Sequence, residues 1–88
     1  MGFQNLTKEE KEKVMQIVIE DLRKKGYLKI GNMENEVYIV DIEKTPEVEG
    51  RLIIKAFDEK NEKDYELIIE IVDKEGNLQL VDYFTVEA

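Results

Sequence analysis

Residues 7–26 read TKEEKEKVMQIVIEDLRKKG, and this stretch decides the fold. Thr7 followed by Glu10 fits a capping box, in which the hydroxyl and the carboxylate each accept a hydrogen bond from an orphan backbone N–H. Acidic Glu9 and Glu10 fall in the first turn and basic Arg23, Lys24 and Lys25 in the last, matching the helix dipole. Gly26 supplies a left-handed stop, so the helix is expected over about residues 7–25. At about 100° per residue, Val14, Met15, Val18, Ile19 and Leu22 share an arc of about 140°, with Ile17 on its flank. Glu9–Lys13, Glu20–Lys24 and Asp21–Lys25 are spaced i,i+4, each pair adding a few tenths of a kcal/mol. A helix with one apolar face needs a surface to cover.

The rest of the chain supplies that surface as strands and turns. Residues 27–30 form a short strand candidate, broken at Gly31 and Asn32. Residues 36–44 follow, with Tyr38, Val40 and Ile42 read on one face and Val37 and Ile39 on the other. Residues 51–58 and 65–72 come next, and the latter alternates best: Tyr65, Leu67, Ile69 and Ile71 point one way, Glu66 and Glu70 the other. Residues 78–86 close the set. The intervening links, 45–50, 59–63 and 73–77, are too short for parallel crossovers and suit hairpins. The expected fold is α+β, a single domain over residues 1–88. One N-terminal helix packs on a four- to five-stranded antiparallel meander spanning about residues 27–86. Ile53, Ile68 and Val81 sit opposite the better apolar face of their strands. They point either to a twisted sheet with half-buried outer side chains or to an outer face used for association.

Eighty-eight residues bury roughly 60–65% of their unfolded surface, enough for a core without staples. There is no Cys, so neither disulfides nor thiolate metal sites exist. His, Ser and Trp are absent too, which removes the side chain that titrates near neutrality and the usual nucleophile–base pairs. Thr7, Thr45 and Thr85 remain, none beside a base by motif. The expectation is a protein that is not an enzyme and uses no cofactor. A net charge of −8 disfavours direct nucleic-acid binding and anionic membrane surfaces. The wealth of Ile, Val, Glu and Lys suits a thermophilic source and a thermostable domain, an AT-rich genome, or a designed sequence. No apolar run approaches the roughly 20 residues that span a bilayer. The N-terminus MGFQNLTKEE has no basic region leading into an apolar run, so the chain reads as cytoplasmic or as a mature fragment. Gly2 is followed by Leu6 where a myristoylation signal needs Ser or Thr.

Three constellations invite a chemical reading, and each has a plainer one. Asp41 with Glu43, or Glu66 with Glu70, are carboxylate pairs, but acid–base work needs a cleft that raises one pKa. So short a chain with one helix leaves little room for such a cleft, and solvated strand-face charge is expected. The loops at 58–62 and 73–77 are rich in oxygen ligands, yet neither has the spacing of a calcium loop and each contains a Lys, so turn chemistry is expected and no metal. Tyr27, Tyr38, Tyr65, Tyr83, Phe57 and Phe84 lack the basic groove of a base-stacking platform and read as packing.

Pro46-Glu47-Val48-Glu49-Gly50 occupies the first hairpin, and Gly2 stands near the start. With the helix-then-meander order, these residues make the chain resemble the cystatin-like fold, in which a sheet wraps one N-terminal helix. In the inhibitors of that family, an N-terminal Gly, a Gln-x-Val-x-Gly hairpin and often a Pro-Trp hairpin form a wedge that enters papain-like proteases. Val48 and Gly50 match the first hairpin, Pro46 stands where Gln belongs, and the second hairpin has no Trp. The resemblance implies Pro46, Glu47, Val48, Glu49 and Gly50 as partner-binding residues. The reading reached is a small non-enzymatic binding or scaffold domain, natural or designed. Its expected partner is a protein, or a second copy meeting the sheet. Protease inhibition and an acidic decoy that imitates nucleic acid are the alternatives. The hairpin at 46–50 and the sheet face opposite the helix are the places expected to matter, in preference to a pocket.

Overall fold

The computed structural model describes residues 2–31 and 33–86. Asn32, part of the expected break after the first strand, lies outside them. A 3-10 turn (Phe3–Asn5) leads into helix α1 (Lys8–Lys25). Strands β1 (Tyr27–Leu28), β2 (Val37–Lys44), β3 (Arg51–Asp58), β4 (Lys63–Ile71) and β5 (Leu78–Val86) follow. They form one antiparallel sheet in the order β1-β2-β3-β4-β5, with α1 packed on its concave face. The expected α+β meander is the fold observed.

Local chemistry fixes the helix. The Thr7 hydroxyl accepts from the Glu10 N–H at 3.2 Å, and the Glu10 carboxylate accepts from the Thr7 N–H at 3.0 Å. The same bonding holds the Glu10 carboxyl below its ordinary range, the Thr7 backbone contact being the largest cause. At the other end Gly26 takes φ +76° and donates its N–H to the Leu22 carbonyl at 2.9 Å. Met15, Val18, Ile19 and Leu22 are buried, Val14 is half-buried, and Ile17, at 65% exposed, lies off the stripe.

The core lies between that stripe and the inner sheet face. Leu52, Ile54 and Ala56 of β3 alternate inward, and so do Leu67, Ile69 and Ile71 of β4. Burying five or six such aliphatic side chains stabilises the domain by about 1.5–3 kcal/mol each before chain entropy is charged. The outer face of β3 and β4 carries Arg51 opposite Glu70, Ile53 opposite Ile68 and Lys55 opposite Glu66. Arg51 Nη2 meets Glu70 Oε1 at 2.6 Å, and Lys55 reaches Glu43 at 3.4 Å.

Two bulges correct the face assignment of the strands. In β2 the register slips between Ile39 and Asp41, leaving Val40 as the extra residue. Val37 is therefore buried, Ile39 half-buried and Ile42 buried, whereas Tyr38 and Val40 are exposed. The expected grouping of Tyr38 and Val40 with Ile42 is overturned, because a regular alternation was assumed where the strand kinks. In β5 the slip falls between the partners of Ile68 and Ile69, making Val81 the extra residue. Some boundaries also differ: β1 is only two residues long, β2 begins at Val37, and β4 runs from Lys63 to Ile71.

The segment before the helix belongs to the core. Phe3 is 1% exposed and Leu6 is buried; the Phe3 N–H donates to the Val72 carbonyl at 2.8 Å, and Gly2 forms a bridge with Asp73. The Phe3 ring lies under Gly50, whose φ of +90° and missing side chain are both required there.

Candidate ligand cavity on the concave face

The helix does not cover the whole concave face. Along β4 Ile71, Ile69 and Leu67 are buried but Tyr65 is only half-buried, and along β5 Leu78 and Leu80 are half-buried while Tyr83 is 58% exposed. Beyond the helix the inner face is left with a cavity of about 380 Å³. That volume falls at the small end of the range of ligand pockets. Residues 33–35 and the β3–β4 hairpin, through Asp58 and Asn61, line the cavity together.

Each wall has a sequence cause. Val37, Leu67 and Leu80 are inward positions of β2, β4 and β5, and Met33 packs against the core from the connection before β2. Tyr65 and Tyr83 lie inward on adjacent strands because the Val81 bulge shifts the phase of β5, so that Tyr83 falls opposite Leu67. Their rings meet edge to face, with centroids 6.1 Å apart and planes at 67°.

The rim is polar and acidic. Asp58, 4% exposed, has Oδ1 accepting from the N–H groups of Lys60 and Asn61 at 3.0 and 3.2 Å. Its Oδ2 accepts from the Asn61 side-chain amide at 2.9 Å. These bonds, the Asn61 side chain first, hold the Asp58 carboxyl below its ordinary range against the opposing effect of burial. The cavity is therefore bordered by an ionised Asp58 and by Glu34, and no Lys or Arg is among the residues lining it.

The hairpin at 46–50 lies at the opposite end of the sheet. Pro46, Glu47 and Glu49 are exposed at its tip, Val48 is half-buried and Gly50 is buried against Phe3. The Thr45 hydroxyl donates to the Val48 carbonyl at 3.1 Å, and the Gln4 side-chain amide donates to the Glu49 carbonyl at 3.0 Å. The Gly2–Asp73 bridge brings the start of the chain and the 73–77 turn to this same end.

The remaining candidates resolve into structure. Glu70 is engaged by Arg51 and Glu43 by Lys55, and the Asp41 carboxylate accepts from the Ile42 N–H at 2.9 Å. Asp73 repeats the turn chemistry of Asp58, accepting from the N–H groups of Glu75 and Asn77 and from the Asn77 side chain at 2.8 Å, and its carboxyl is likewise held low, chiefly by Asn77. Tyr27 packs edge to face on Tyr38, and its hydroxyl donates to Glu59, whose charge raises the phenol's pKa. Among the described residues no helix is long and apolar enough to cross a membrane.

The cavity was not anticipated from the sequence. A pointer to it was present: the apolar positions of β5 change parity from 78 and 80 to 81 and 83, and that change marks a bulge. No family model matches the chain, and no curated protein or solved structure matches it.

Proposed function

We propose that this chain is a non-enzymatic binding domain that takes a small ligand with an apolar body and a neutral or cationic head into the concave cavity. The observation that carries the reading is the cavity's lining, in which two tyrosines and four aliphatic or thioether side chains stand beside two acidic residues with no cation. An apolar body gains by covering Leu67, Leu80, Val37 and Met33. A cationic head gains from the tyrosine rings and the nearby carboxylates, whereas an anion would meet like charge at Glu34 and Asp58. Calorimetric titration with benzyltrimethylammonium, benzyl alcohol and benzoate tests this. The cation should bind with a Kd in roughly the millimolar range, and Tyr83→Ala should weaken it about five-fold. Equal affinity for benzoate, or no heat with any of the three, would remove the reading.

A second reading rests on the other end of the sheet. Gly2, the 46–50 hairpin and the 73–77 turn gather there, the placement that a cystatin-like wedge requires. Against a papain-like protease, that reading predicts inhibition at micromolar concentration that is lost when Pro46, Glu47 and Val48 are replaced together by Gly. Full protease activity with the unaltered chain would eliminate it.

A further inference from the structure

The two edges of the sheet are built differently. Beyond its two-residue pairing with β1, the free edge of β2 runs from Val40 to Lys44. Both edges carry a bulge, but this one also carries three charged residues, Asp41, Glu43 and Lys44. Charges on an edge are a device by which sheets avoid pairing with other chains. The opposite edge, β5, is nine residues long, and no strand among the described residues pairs with its outer side. It reads LQLVDYFTV, with Asp82 as its single charge and no Lys, Arg or Pro, in a chain that is 39% charged. Val81 (44% exposed), Phe84 (50%), Val86 and Tyr83 make it the most apolar exposed stretch of the molecule. Phe84 stands on the convex side beside Glu66 of β4, and Tyr83 on the concave side beside Leu67, so each flank of the edge presents an aromatic ring.

We infer that β5 pairs antiparallel with β5 of a second copy, joining two five-stranded sheets into one. A row of free N–H and C=O groups is satisfied by any strand, so the side chains must select the occupant. Asp82 is the single charge on β5 itself, and the nearest other carboxylates, Asp64 and Glu66, lie one strand in, so the edge presents side chains that are apolar and aromatic more than acidic. A near-neutral strand rich in apolar and aromatic residues complements another of the same kind, and antiparallel pairing about a two-fold axis lets one patch serve both copies. The bulge at Val81 divides β5, so the arm Asp82–Val86, with Tyr83 and Phe84, forms the centre of the contact. The inference stands apart from the cavity reading, although a second copy laid beside Tyr83 would close the side of the cavity that this chain leaves open.

Sedimentation equilibrium of the full chain from about 5 to 500 µM tests it. The unaltered chain should pass from monomer to dimer within that range and stop at dimer. Phe84→Lys and Val81→Lys should each remain monomeric at the highest concentration while keeping the circular dichroism spectrum and melt of the parent. A monomer throughout overturns the inference, as does a dimer that survives both substitutions or growth past dimer without a plateau. Should both variants unfold, amide hydrogen exchange on the unaltered chain decides. Protection of the β5 amides should rise with protein concentration, and protection independent of concentration overturns the pairing.

Discussion

At the scale of single residues, the glycine at position 50 carries the sharpest constraint. Its φ of +90° and the Phe3 ring beneath it leave no place for a Cβ. Gly50→Ala should therefore cost about 3 kcal/mol in urea unfolding, combining backbone strain with displacement of a buried aromatic. A cost near zero would mean that Phe3 does not pack there. The carboxylates of Asp58, Asp73 and Glu10 set the acid response. All three have lowered pKa values in the folded chain, so their stabilisation is present above the unfolded carboxylate pKa and is lost as pH falls through the folded values. With no His in the chain, stability should be nearly flat between about pH 6 and 8 and decline below about pH 4. Thermal melts across that range check it, and Asp58→Asn together with Asp73→Asn should flatten the acid limb. A melting temperature that climbs as the solution is acidified from neutrality to about pH 3 would contradict the assignment. The burial of Asp58 was not legible in the sequence, since one Asp followed three residues later by Asn reads equally well as an exposed turn.

Among the elements, the helix was the most legible because its determinants are local. Thr7, Glu10 and Gly26 act within a turn of themselves, and the Val14-to-Leu22 stripe repeats with one period. Thr7→Ala should lower stability by about 1 kcal/mol, read by denaturant unfolding, and an unchanged midpoint would count against the cap. Phe3 and Leu6 were not legible as core residues. They precede the cap and follow no period, and Phe3 owes its place to contacts with Gly50 and Val72, far away in the chain. The strands fall between these cases. β3 and β4 follow strict alternation and read correctly, whereas β2 and β5 change parity midway, and each change proves to be a bulge. Deleting the bulged Val81 restores a regular ladder with Leu80 and Tyr83 both facing inward, so that variant should fold. Deleting Ile68 from the regular part of β4 reverses the faces of half its residues and should abolish cooperative unfolding. Equal behaviour of the two deletions would deny that Val81 is the extra residue.

On the scale of the whole molecule, the proposed ligand site rests on a mismatch between one helix and a larger sheet. The helix stripe covers the inner faces of β3 and β4 near the N-terminal segment and leaves the β3–β4 hairpin end open, where Tyr65, Tyr83, Leu67 and Leu80 line a cavity edged by acid. Sequence patterning showed that a helix would cover a sheet; the extent of cover depends on where α1 crosses, with Val18 lying close against Gly76 of the β4–β5 turn. The same incomplete cover, with the apolar β5 edge, explains why side chains such as Tyr83 and Phe84 remain exposed in so charged a chain. The most direct test is a ¹H–¹⁵N correlation spectrum recorded while benzyltrimethylammonium is added, with benzoate in parallel. Saturable shifts confined to residues 33–37, 58–67 and 80–83, with none from benzoate, are the expected result. Shifts spread over the surface, or mapping to the 46–50 hairpin, would contradict a ligand site on the concave face.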